Sequence, residues 1–211
     1  MGVLQGGILP SSTVSWHATF NTLIPEANGI SYARWSWSEK SQTFDAALAE
    51  MKSDLERVQQ PILVARGPWM SWMAQFYLES LPLAALIMVD PLRFDSVRGD
   101  DICRFYEDLY VQRYNSSFTG MEQPLPKYQL FQEYANHWDH WMLKLEPGVI
   151  PTLVLSTQQS DSVWSRHAHD TTARHSSTVS PHGNVPVVPI NASQIASCTK
   201  VICNWIKEDV L

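Results

Sequence analysis

The stretch from Pro61 to Leu92, PILVARGPWMSWMAQFYLESLPLAALIMVDPL, decides how this chain folds. Ile62-Leu63-Val64-Ala65 is an unbroken apolar run, closed by Arg66 and a Gly67-Pro68 break. A helical segment follows, and then a second apolar run, Ala84 to Val89, closed by Asp90-Pro91. Runs that are apolar throughout, rather than alternating, are expected of parallel strands buried on both faces. The stretch therefore reads as strand, turn, helix, strand. In a doubly wound sheet, ligands and chemistry gather where a strand ends and a helix begins. Here that turn, Ala65-Arg66-Gly67-Pro68-Trp69, contains no nucleophile.

The same alternation extends in both directions. Thr43 to Val58 carries Phe44, Ala47, Leu48, Met51, Leu55 and Val58 at helical spacing, which predicts an amphipathic helix. Upstream, Val3 to Pro10 reads as a strand end and a tight turn at Gly6-Gly7, Ser12 to Leu23 as a helix, and Gly29 to Trp37 as a strand. Downstream, residues 93 to 148 are rich in aromatic and charged side chains. They hold two helical patterns, Asp101 to Tyr114 and Tyr128 to Leu145, between strands of the sheet, so they read as an inserted helical cap. Ile150 to Ser156 is the next buried strand, Ser162 to Thr172 a polar helix, 173 to 184 a turn-rich loop, Val185 to Ile190 the last strand and Ser193 to Val210 the last helix. This order specifies an α/β fold, with a mostly parallel sheet and helices on both faces, in one domain spanning 1–211.

Composition narrows the function classes. Fifteen Lys and Arg stand against 21 Asp and Glu, a net charge of −6, which argues against a nucleic-acid footprint. No run of apolar residues is long enough to span a bilayer, and the N-terminus lacks a basic region followed by an apolar segment, so an intracellular soluble compartment is expected. Cys103, Cys198 and Cys203 read as small buried apolar residues, the last two pointing to different faces of one helix. The triplets Asn115-Ser116-Ser117 and Asn191-Ala192-Ser193 match a glycosylation acceptor but read as coincidence without a secretory signal.

The arrangement resembles the α/β-hydrolase family over nearly the whole chain. LVARGPWMSWMAQFYLESLPLAALIMVDPL is similar to that family's nucleophile-elbow strand, its helix and the following strand ending in Asp-Pro. Gln5-Gly6-Gly7 stands where the family has its His-Gly turn, Thr152 to Ser156 with Asp161 where it has the acid strand and loop, and Val185 to Trp205 where it has the last strand, His loop and helix. The resemblance implies a G-x-S-x-G elbow, in which a Ser hydroxyl at the head of a helix is deprotonated by a His. In this chain the elbow falls on Gly67 or Pro68, and neither side chain attacks a carbonyl. The His position falls near Asn191, with no His present. Asp161 keeps the acid position but has no His to orient, and reads as a helix N-cap. Gly6 and Gly7 keep the amides of half an oxyanion hole. Gly6, Gly7, Gly67, Pro68, Asp161 and Asn191 are thus the positions of a vestigial site. The family carries strands ahead of the His-Gly turn, so the chain reads as N-terminally shortened, with an open sheet edge.

Other constellations are weaker. His137 and His140 are three apart and could co-ligate, but Asp139 falls on another helix face and no third ligand stands at defined spacing, so no metal and no cofactor is expected. His167, His169, Asp170 and His175 read as a solvated helix face and loop. Ser71, one turn into the elbow helix, is a conceivable displaced nucleophile, but a mid-helix Ser usually bonds back to the preceding turn. Arg66 either binds an anion at the strand edge or pairs with Asp90 or Asp161. The reading that follows is a catalytically inactive structural or interaction subunit with a protein partner. Two alternatives stand beside it: a binder of small lipophilic ligands, its pocket lined by Arg66, Trp69, Trp72, Trp138 and Trp141, and an esterase with a relocated or incomplete site.

Overall fold

The computed structural model describes residues 2–5, 33–35, 44–66, 68–91, 143–157, 163–190 and 195–210. Within them lie six strands: β1 (Gly2–Gln5), β2 (Ala33–Trp35), β3 (Ile62–Arg66), β4 (Ala85–Val89), β5 (Thr152–Ser156) and β6 (Val187–Pro189). They form one sheet in the order β2-β1-β3-β4-β5-β6, and every pairing is parallel. The helices are α1 (Phe44–Leu55), α2 (Pro68–Ser80), α3 (Val163–His175) and α4 (Ile195–Trp205), the last running into a π-helical turn, Ile206–Val210.

Strand alternation divides the core in two. Leu63, Ala65, Leu86, Met88 and Val154 face α1, α2 and α3 and pack with Met51, Met70, Trp72, Met73 and Ala168. Ile62, Val64, Ala85, Ile87, Val89, Leu153 and Leu155 face α4 and pack with Cys198, Ile202, Cys203 and Ile206. All five residues of β4 and all five of β5 are buried. This two-sided burial is why those segments are continuously apolar in sequence. Each Leu or Ile so enclosed contributes about 1.5–3 kcal/mol of transfer free energy. The α1–α2 contact is closed at its rim by Lys52 Nζ donating to Ser80 Oγ at 2.8 Å.

Several boundaries differ from the sequence expectation. α1 stops at Leu55, and Val58, counted into its apolar stripe, lies in the following turn at 41% exposure. There the chain turns sharply, with Val58 N donating to Leu55 O at 2.9 Å and Gln60 at φ 45°. α3 continues past Thr172 to His175, so the first residues of the expected 173–184 loop are helical. Residues 143–145, expected to end a cap helix, are not helical. Their neighbour Gly148 has φ 72°, where a Cβ would come within 2.6 Å of Ser180 Cβ. The rest of the expected cap, 93–142, and the 12–23 helix lie outside the described residues. β6 is the last strand of the described sheet and carries Pro189, with Ile190 N donating to Ser156 O at 2.7 Å.

Cys198 and Cys203 do not diverge to separate environments: both are buried against the α4 face of the sheet. Burial pushes the Cys198 thiol up to about 12, with a smaller lowering by Arg66 opposing it and a smaller raising by Asp90 adding to it. It pushes Cys203 up to about 11, with Lys207 opposing. The ordinary thiol value is 9.0. Above that pH the unfolded chain binds fewer protons than the folded one, so stability falls as pH rises. Burial raises Tyr77 as well, in the same direction. Urea unfolding should therefore give a midpoint that declines from pH 8 to about pH 10, with a shallower decline in a Cys198→Ala/Cys203→Ala variant. N-ethylmaleimide at pH 8 should label neither thiol until the protein is unfolded, as read by peptide mass mapping.

Candidate functional site

The order of the sheet selects one place. From β1 the chain goes to β2 on one side and then returns to β3 on the other, which makes the carboxyl ends of β1 and β3 the switch point of the sheet. Register brings the last residues of these strands together: Gln5 is opposite Arg66, and Arg66 is opposite Val89. Because all strands are parallel, the carboxyl ends of β1, β3, β5 and β6 share this edge. In the sequence, Gly6 and Gly7 follow β1, Gly67 and Pro68 follow β3, Asp161 comes after β5 and Asn191 after β6. Pro68 opens α2, while the other five lie outside the described residues. β3 ends at Arg66 and α2 begins at Pro68, so Gly67 alone links them.

At the adjoining strand end Asp90 adopts φ 51°, in the left-handed region that Asp tolerates better than most residues. Its carboxylate accepts from Thr157 N at 2.7 Å and from Thr157 Oγ1. This clasp joins the ends of β4 and β5 just below the edge. Arg66 continues the alternation of Ile62 and Val64, which puts it on the α4 face, where its charge acts on the Cys198 thiol. Trp72 belongs to the opposite face. It has no exposed surface and meets Phe76 edge to face, with ring centroids 5.3 Å apart. Arg66 and Trp72, both expected as pocket lining, thus lie on opposite faces of the sheet. Trp69 occupies the first turn of α2, and Trp138 and Trp141 lie outside the described residues.

The histidines of the polar helix are not all solvated. His169 is exposed, but His167 is half-buried and His175 is 4% exposed. His175 reaches across to α2, where its Nε2 lies 2.9 Å from Gln75 Oε1. Gln75 Nε2 donates to the Ser71 carbonyl at 3.0 Å, which turns the Oε1 end of the amide to the imidazole. An acceptor there requires His175 to carry its proton on Nε2. The His175 carbonyl in turn accepts from Gly148 N at 2.8 Å. The sequence hint was an i, i+4 polar pair, Ser71 and Gln75, inside an otherwise apolar helix.

Ser71 does not bond back to the preceding turn, as mid-helix Ser was expected to do. Its Oγ is buried with no hydrogen-bond partner among the described residues. His182 is exposed in the turn that leads into β6, at the opposite edge of the sheet from the carboxyl ends of the strands.

No family model matches the chain, and no curated protein matches it in sequence. Solved structures do match. The chain is similar to alpha/beta hydrolase domain-containing protein 10 from mouse, at 17% identity and TM-score 0.59, over 98% of this chain and 89% of that one. It is similar to NosK from Streptomyces actuosus, at 14% identity and TM-score 0.58, over 98% and 96%. A lipase-esterase related protein from Clostridium acetobutylicum matches at 13% identity and TM-score 0.52, over 100% and 93%. The fold is that of the α/β hydrolases.

The Gln75–His175 pair can be tested by truncation. Either Gln75→Leu or His175→Leu leaves one buried polar group unmatched and should cost about 1–3 kcal/mol in urea unfolding. The double variant should cost clearly less than the sum, since it removes both polar groups together.

Proposed function

We propose that this chain is a non-hydrolytic protein of α/β-hydrolase fold that works as an interaction subunit. The observation that carries the reading is the one-residue link between β3 and α2, which is Gly67. The elbow geometry exists to raise a nucleophilic side chain above the sheet edge, and glycine has none. Three further features support it. Asn191 stands where a general base would follow β6. The described histidines are committed to a buried amide, half-buried or exposed along α3, or placed in the turn before β6. Ser71 is sealed inside the helix layer. A fold that keeps its scaffold without these groups can act by presenting surface. Trp72 in the packed core weakens the lipophilic-pocket alternative.

A screen with p-nitrophenyl esters of several chain lengths should give no turnover above buffer, and a fluorophosphonate probe should leave the chain unlabelled by intact mass. Stoichiometric labelling at any Ser would overturn the non-hydrolytic reading. Capture of the chain at native abundance, followed by native mass spectrometry, should give a complex of defined stoichiometry. Recovery as a monomer alone would sink the subunit role.

A further inference from the structure

The turn between α3 and β6 holds a motif that the carboxyl edge of the sheet does not use. Ser180-Pro181 is the one Ser-Pro or Thr-Pro step in the 211 residues. Thr178, Pro181 and His182 are exposed, and Val179 is 93% exposed. The main-chain bonds of the turn close on itself: Gly183 N donates to Ser180 O and Ser177 N to Gly183 O, both at 3.0 Å. The half-buried Ser180 makes a tie outward. Its Oγ donates to the carbonyl of Gly148, in the strap 143–149 that leads into β5. The same strap is fastened to the helices. Gly148 N donates to His175 O at 2.8 Å, Arg174 Nη2 to Leu143 O at 3.3 Å, and Lys144 N to the Glu79 carboxylate.

The contact between Ser180 and Gly148 has no room for a larger group. A Cβ on Gly148 would come 2.6 Å from Ser180 Cβ and 2.7 Å from Ser180 Oγ. A phosphoryl on that Oγ is larger than a methyl, carries about −1.5 to −2 charge at pH 7 and brings acceptor oxygens. Facing the Gly148 carbonyl it meets another acceptor, so the hydroxyl bond is lost and the side chain must turn outward. The residue that follows selects the class of enzyme. Proline has no N–H, so a kinase groove that offers no acceptor to the amide after the hydroxyl admits this step and disfavours others. We propose that Ser180 is the acceptor of a proline-directed Ser/Thr kinase, and that its phosphorylation unlatches the 143–149 strap from the turn. In the transfer, Ser180 Oγ bonds to the γ-phosphorus of ATP and the bond from that phosphorus to the bridging oxygen breaks. ADP leaves, and the hydroxyl proton passes to the kinase's base. The assignment is independent of whether the protein is hydrolytic.

The test uses the full folded chain with an active mitogen-activated protein kinase, magnesium and ATP. The protein should gain one phosphoryl group by intact mass, mapped to Ser180, and Ser180→Ala should gain none. A synthetic peptide spanning residues 174–187 is the unfolded reference and should be modified at the same serine. Modification of the peptide but not of Ser180 in the folded chain, or of neither, would refute the acceptor assignment. Hydrogen–deuterium exchange then reads the latch. In the phosphorylated chain the amides of 144–150 should exchange about fivefold faster or more, the effect of losing one net hydrogen bond. Those of β4 should be unchanged. Unaltered exchange over 144–150 in a chain phosphorylated at Ser180 would overturn the unlatching.

Discussion

The structure depends on burying both faces of β3, β4 and β5 at once. Each of these strands has helices above and below it, and its side chains alternate between two separate clusters. A sheet in that position cannot be assembled from hairpins, because parallel neighbours need a long crossover between them. The helices are thus both the covering layers and the connections. Removing either layer would leave an apolar face against water, Leu86 and Met88 of β4 on one side or Ala85, Ile87 and Val89 on the other.

That constraint explains what was legible in the sequence. The strands of the central sheet announced themselves as apolar runs, and the parallel α/β class followed from their alternation with helices. The common side of the strand ends followed as well, because a parallel sheet puts every carboxyl end on the same side. Less legible was anything set by contacts between elements distant in sequence. His175 looked solvated because its neighbours Arg174 and His169 are polar, while its partner, Gln75, lies in another helix. Val58 fitted the helical stripe by spacing, yet the chain had already turned at Leu55. Trp72 looked like a pocket wall because it follows the elbow. The second turn of α2 instead carries it into the cluster shared with α1, where Phe76 takes its edge.

The edge of the sheet is built more rigidly than a bare loop cluster would require. Asp90 holds a backbone conformation that side chains rarely adopt, and it does so while tying the end of β4 to Thr157 past the end of β5. Behind it, α2 and α3 are held by an amide–imidazole pair rather than by apolar contact alone. Polar groups at such depth define geometry as well as stability, because each must find its own partner. The ends of β4 and β5 are therefore held in register.

The proline in β6 limits how this molecule can be extended. Backbone groups of successive strand residues point to opposite sides. Val188 and Ile190 turn toward β5, as the bond from Ile190 N to Ser156 O shows. Val187 and Pro189 are then the residues whose backbone faces outward. Proline has no N–H, so the outer side of β6 offers a single amide donor, that of Val187. A ladder of main-chain hydrogen bonds cannot propagate from one donor. Growth of the sheet by an added strand is thereby blocked at this end, so the molecule is polar as a building block. Any partner that recognises it through backbone pairing must approach from elsewhere.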